Sequence, residues 1–187
     1  MARDYLEQPL NQMRRSDRAK DDDWIRDFLT NGDFGVMATS YQGQPFTNTR
    51  QYVYDPSANA IYMHGAKTGR TPAVIETNER VCFSVSRMGR LIPADEAVEV
   101  SVEFAGVMVF GRVTMVEDQA EAVHALQLLM DKYFPQLKPG IDYRPVEPKD
   151  LKITAVLRID IDSWSGKEKK VADDAPGAFL WQEVAGE

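Results

Sequence analysis

The stretch AIYMHGAKTGRTP, residues 60–72, is the most informative in the 187-residue chain. A strand-like run ends at His64. Gly65 and Gly69 then interleave with Lys67, Thr68, Arg70 and Thr71. Glycine lets a backbone approach a ligand closely, threonine hydroxyls donate hydrogen bonds, and Lys67 and Arg70 carry positive charge. Thr71 can cap a following helix and Pro72 can occupy its first turn, which brings unsatisfied amides to the same place. These groups together suit a phosphate cradle; a solvated glycine-containing turn would use the same residues.

Competing motifs fail on particular residues. GRT resembles the GKT of a P-loop, but the earlier motif glycine falls on His64, Arg70 replaces the lysine, and Pro72 follows. No GxGxxG is present, so a dedicated dinucleotide fold has no support. His64 and His124 have no carboxylate constellation for a metal, and the helical setting of His124 reads as surface. Cys82 is the only cysteine, which rules out an internal disulfide and a thiolate-rich metal site.

Two further segments carry candidate binding groups. FTNTRQYVYD places Thr47, Asn48, Thr49, Arg50 and Gln51 within a strand bounded by aromatics. Alternate residues would face a ligand groove, although an ordinary polar edge strand has the same pattern. DSWSGKEKK sets Trp164 and Lys167 just past the last strand. Tryptophan can cover an aromatic ring and lysine can approach an anion. Alternatively, Trp164 plugs the core and a soluble tail follows.

The elements that must position these groups are mainly strands. After a polar arm over residues 1–20, Asp21 to Asp23 open a helix whose Trp24, Ile25, Phe28 and Leu29 share a face. Asn31-Gly32 predicts a left-handed stop. FGVMATSY, FTNTRQYVYD, AIYMH and RVCFSVSR read as strands separated by turn formers, with a short helix around AVIETN. GRLIPADEA reads as a loop. VEVSVEFAGVMVFGRVTMV is too long for an ordinary strand and predicts a bend near Ala105-Gly106. A helix over about 118–133 presents Val123, Leu126, Met130 and Tyr133 to the core. PQLKPGIDYRPVEPKD, with four prolines, predicts an irregular connection. LKITAVLRIDID closes the series, with Ile153, Ala155, Leu157, Ile159 and Ile161 alternating. Phe179, Leu180 and Trp181 could dock on another surface. Strands dominate and do not alternate with helices, which predicts one mainly β domain over 1–187, an antiparallel barrel with a tail over 168–187.

Composition sets outer bounds. A formal charge of -7 argues against a general nucleic-acid binder, because phosphate neutralisation needs concentrated Lys and Arg. The N-terminus is too charged for a signal peptide, and no apolar run approaches a membrane span. A cytoplasmic protein is expected.

The ordered series YVYD, AIYMHGAKTGR, IETNERVCFSV, VMVFGRVTMVED, LLMDKYFP and IDSWSGK resembles the pyridoxamine-phosphate-oxidase-like FMN-binding split barrels. Within them it is closest to the nitroimidazole reductase branch associated with antibiotic resistance. The resemblance spans about Trp24 to Lys167. It implies a Greek-key split barrel, a homodimer with two sites at the interface, and FMN as cofactor, with FAD or a deazaflavin as alternatives. His64, Gly65, Lys67, Thr68, Gly69 and Arg70 would meet the cofactor. Asn48, Thr49 and Arg50 would pass along its ring, and Trp164 and Lys167 would close the site, from the same or the neighbouring subunit. His64 is the candidate proton-handling group. The implied activity is electron transfer from a nicotinamide donor to a small acceptor such as a nitro-aromatic; a non-catalytic flavin-binding protein is the alternative. Relatives often carry a second basic residue where this chain has Thr71. The arginine-rich substrate motif of pyridoxamine-phosphate oxidases proper has no equivalent in RIDIDSWSGKEKK.

Overall fold

The computed structural model describes residue 4 and residues 6–185. Its elements in chain order are β1 (Ala19–Lys20), α1 (Asp22–Asn31), β2 (Gly35–Tyr41), β3 (Gln44–Arg50), β4 (Val53–Asp55), β5 (Ala60–Ala66) and α2 (Arg70–Ile75). There follow β6 (Arg80–Ile92), β7 (Ser101–Met115), α3 (Gln119–Tyr133), β8 (Thr154–Lys169) and α4 (Trp181–Val184). Among the described residues no helix is long and apolar enough to cross a membrane.

One antiparallel sheet runs in the order β3-β2-β6-β7-β8-β5-β4, with β1 on the free edge of β8. Placing β5 beside β8 gives the Greek-key order. The outermost strands, β3 and β4, are neighbours in sequence, separated only by Gln51 and Tyr52. The sheet therefore curls until a covalent link joins its two edges, which is a split barrel. The hairpin between β2 and β3 turns on Gln42 and Gly43, both with positive φ (49° and 79°), the turn whose twist matches that of paired strands.

The barrel interior is apolar by strand alternation. Met37, Ile61, Met63, Phe83, Val107 and Val109 are all buried inside it, and each contributes about 1.5–3 kcal/mol through loss of water contact. Helix α1 adds Ile25, Phe28 and Leu29, and begins where the Asp21 carboxylate accepts from the Trp24 amide at 2.9 Å. Helix α3 packs outside the barrel on Val53, Ala60, Tyr62 and Val156.

Several expectations require correction. Gly32 is extended (φ -72°) rather than left-handed; a Cβ there would lie 2.5 Å from the Tyr52 hydroxyl, so close packing requires the glycine. FTNTRQYVYD is two strands, because Gln51-Tyr52 turns the corner between sheet edges. Strand β6 runs through GRL to Ile92, with a bulge between Met88 and Leu91. Strand β7 is continuous at Ala105-Gly106. The irregularity falls between Phe110 and Gly111, opposite an extra residue in β8. Buried positions of α3 are Ala122, Ala125 and Leu129, with Leu126 and Tyr133 at the margin. Small alanines let the helix approach the sheet closely, which apolar periodicity weighted by size does not register. Ile153 precedes β8 and is 81% exposed. The tail does dock: Leu91 and Phe179 exchange backbone hydrogen bonds of 2.7 and 3.1 Å.

Candidate functional site

Strand β3 ends at the corner where the chain crosses to β4, and Arg50 is its last residue. Register with Gly35 turns Arg50 to the inner side of the sheet. From there Nη1 donates to the His64 carbonyl at 3.0 Å, and Nη2 donates to the Thr71 hydroxyl at 3.1 Å. Three elements, β3, β5 and α2, thus meet on one guanidinium. The Nε of Arg50 is buried without a partner, and among the described residues no carboxylate pairs with the group. Burial alone pushes its pKa down from the ordinary value. Arg15, Arg26, Arg90, Arg112, Arg144 and Arg158, by contrast, all pair with acids. A half-buried cation held only by neutral acceptors could hold an anion.

The loop before α2 supplies the rest. Gly69 is the N-cap, with φ 123°, and no side chain caps the helix. The first-turn amides have no intrahelical acceptor. Thr71 is not the cap; it lies in the first turn and its hydroxyl receives Arg50. Arg70 is exposed, its guanidinium 4.7 Å from the centroid of the Phe46 ring, and among the described residues no acid pairs with it. Lys67 and Thr68 are exposed, and Lys67 lines a different cavity, beside β8 and α3.

Alternation divides the other candidates between faces. Asn48 pairs with Met37 and shares the side of Arg50; Thr49 pairs with Val36 on the outer face. Gly65 lies under Arg50, and a Cβ there would be 2.8 Å from Nη1. His64 is exposed and turned to the face of Tyr62, opposite Arg50, so it joins this corner through its carbonyl rather than its imidazole.

Trp164 and Lys167 lie within β8, not past its end as expected, and away from the Arg50 corner. His64 pairs with Val156 of β8, whereas Trp164 comes eight residues later, roughly 26 Å along the strand. An odd spacing of three puts Trp164 and Lys167 on opposite faces. The Trp164 indole donates to Asp22 at 2.8 Å, meets Tyr54 edge-on at 6.2 Å and has Arg26 over its ring at 5.3 Å. Lys167 is on the outer face, 5.5 Å from the Phe104 ring, in the lining of a cavity of about 410 Å³ that includes Met88, Met108 and Ser165.

Sequence reasoning missed Phe46 as the platform for Arg70, although an aromatic opening a polar strand was a visible signal. It also missed Lys132. Its Nζ is buried without a hydrogen-bond partner, 3.9 Å from the Tyr52 ring centroid, and burial holds its pKa at about 8. Nothing in a helical DKY announces that.

Comparison with known proteins bears on the family and the fold. The profile of the pyridoxamine 5'-phosphate oxidase family matches residues 21–168. The chain belongs to that family. No curated protein matches. Among solved structures, the flavocytochrome Anf3 from Azotobacter vinelandii is 23% identical, with 87% of this chain and 76% of that one covered and a TM-score of 0.71. The FAD and heme binding protein from Mycobacterium smegmatis is 17% identical, covering 90% and 80%, with a TM-score of 0.73. A candidate 5-nitroimidazole antibiotic resistance protein from Bacteroides thetaiotaomicron is 20% identical, covering 80% and 84%, with a TM-score of 0.65. At these identities the likeness establishes the shared split barrel.

Proposed function

We propose that this protein is a cytoplasmic flavin-dependent oxidoreductase, binding FMN with its terminal phosphate at the Arg50 corner. The observation that carries the reading is the half-buried Arg50 guanidinium, with Nε unsatisfied and no carboxylate beside it. A phosphate oxygen would take N–H groups that these two bonds leave free on Nη1 and Nη2, and the Thr71 hydroxyl, the uncapped start of α2 and Arg70 would add to the grip. Gly65 makes room for the Arg50 fork itself, and the space beside Gly69 is open for the approach. FAD or a deazaflavin would present a phosphate to the same donors. Bound flavin would supply two-electron chemistry between a nicotinamide donor and a small acceptor, such as a nitro-aromatic; the protein would bind, orient and shield.

A homodimer belongs to this reading. Val36, Met88 and Met108 are exposed on the outer face of the sheet, beside the small residues Ser84, Gly106 and Ser165. A second copy on that face would bring its own Lys167 toward groups that one chain holds far apart.

The second reading, a non-catalytic flavin-binding protein, draws on one feature: the His64 imidazole faces away from Arg50. One experiment separates the two. Flavin absorbance of purified protein, with mass spectrometry of the released cofactor, tests binding. Bleaching by NAD(P)H and reoxidation by a nitro-aromatic then supports the enzyme alone. Colourless protein that binds FMN no better than millimolar would dismiss both readings.

A further inference from the structure

A cavity of about 610 Å³ lies away from the Arg50 corner, between the end of β7, the start of β8, the first turn of α3 and the 3₁₀ turn Pro148–Lys152. Its volume falls in the range of small-molecule sites. The floor is apolar, built from Met115, Val116, Ala155 and Val156, and the Val116 amide fixes it by donating to the Val156 carbonyl at 2.9 Å. Two lysines border it, Lys67 from the loop after β5 and Lys152 from the 3₁₀ turn. Neither side chain has an ion pair or a hydrogen bond among the described residues. Glu117 borders the same opening, so two ammonium groups face one carboxylate, leaving one net positive charge. An anionic head over an apolar body satisfies both parts of this cavity: burying the body gains about 25 cal/mol per Å² of apolar surface, while the head neutralises the excess charge.

We propose that this cavity is a second small-molecule site, distinct from the flavin site, for an amphipathic monoanion: a carboxylate with an apolar body. Lys67 and Lys152 hold the carboxylate, and the floor around Met115 takes the body. Lys67 is the one candidate cofactor residue that lines the cavity. It therefore serves this second site rather than the phosphate of a flavin.

The test is isothermal titration of the full chain, freed of flavin, with decanoate, and with decanol as the uncharged probe. Decanoate binds one per chain and at least tenfold tighter than decanol. The K67A/K152A double variant loses at least tenfold in decanoate affinity and keeps its affinity for decanol. Met115→Trp, which fills the floor from a partly exposed position, abolishes both. Arg50→Ala leaves both unchanged, so loss of flavin binding and loss of this site are separable. The lysine variants alter exposed side chains and their folding is checked by circular dichroism. No heat with decanoate in the wild type, or unchanged decanoate affinity in folded K67A/K152A, overturns the proposal.

Discussion

The Arg50 guanidinium reaches across fourteen positions of sequence to donate to the His64 carbonyl at 3.0 Å, in the space where any larger residue at 65 would carry its Cβ. This ties the last residue of β3 to β5, two strands that share no ladder. Arginine is demanded there by shape as well as charge, since one planar fork serves a carbonyl and a hydroxyl while its Nε lies buried without a partner.

Arg50→Lys therefore behaves much like Arg50→Ala. A charge-assisted hydrogen bond contributes about 1.5–3 kcal/mol, so each variant should lose roughly 10- to 100-fold in FMN affinity. Gly65→Val should do the same by displacing the fork. Equilibrium flavin titration of the three variants is the measurement, and retention of full affinity by Arg50→Lys would show that charge alone suffices.

Arg70→Ala should sharply reduce flavin retention while sparing the fold. The side chain is exposed and rests on Phe46, outside the core, so its removal should change stability by about 0.5 kcal/mol or less. Flavin content of purified protein and a thermal melt are compared with wild type. Equal occupancy in both removes Arg70 from the site.

Lys132 makes stability depend on mildly alkaline pH. Burial holds it at about 8, whereas a free lysine titrates at about 10.4. Between those values the unfolded chain carries a proton that the folded chain has lost, so the Lys132 contribution to stability increases as pH rises from about 8 to 10. Lys132→Met should be roughly 1 kcal/mol more stable than wild type at pH 7, with the gain shrinking by pH 9.5. Urea unfolding at both values measures it, and a gain independent of pH would contradict the buried charge.

The C-terminal tail is held by a buried acid. Glu103 accepts from Arg90 and from the Val171 amide, while Arg90 donates to the carbonyls of Val171, Ala172 and Asp173. Its hydrogen bond with Arg90, foremost, holds the carboxyl down at about 2. The contribution is present above the unfolded value of about 4.3 and is lost as pH falls through about 2. Glu103→Gln should expose residues 171–180 to limited proteolysis at pH 7 and flatten the decline in melting temperature between pH 5 and 2. An uncleaved tail in the variant would assign its docking to the Leu91–Phe179 pairing instead.

Much was written locally in the sequence. Asp21 and Asp118 each cap the helix they precede, because a short carboxylate reaches the amide three residues on. Strand segments showed through alternation, and the cluster at residues 64–70 through glycines, cations and hydroxyls packed into seven positions. Alternation did not reveal which face each residue would take, because a single bulge or corner inverts it. The Gln51-Tyr52 corner and the irregularity at Phe110/Gly111 are of that kind.

The sequence by itself determined the class of the fold and the chemical character of the loop after β5. Those follow from interactions a few residues long: periodicity, capping and backbone permissiveness. Only the tertiary structure decided that Arg50 shares a corner with His64 and Thr71, that Lys67 turns to another cavity, and that Trp164 is occupied by α1. Such pairings depend on sheet order and register, set by packing summed over the whole barrel rather than by neighbouring residues.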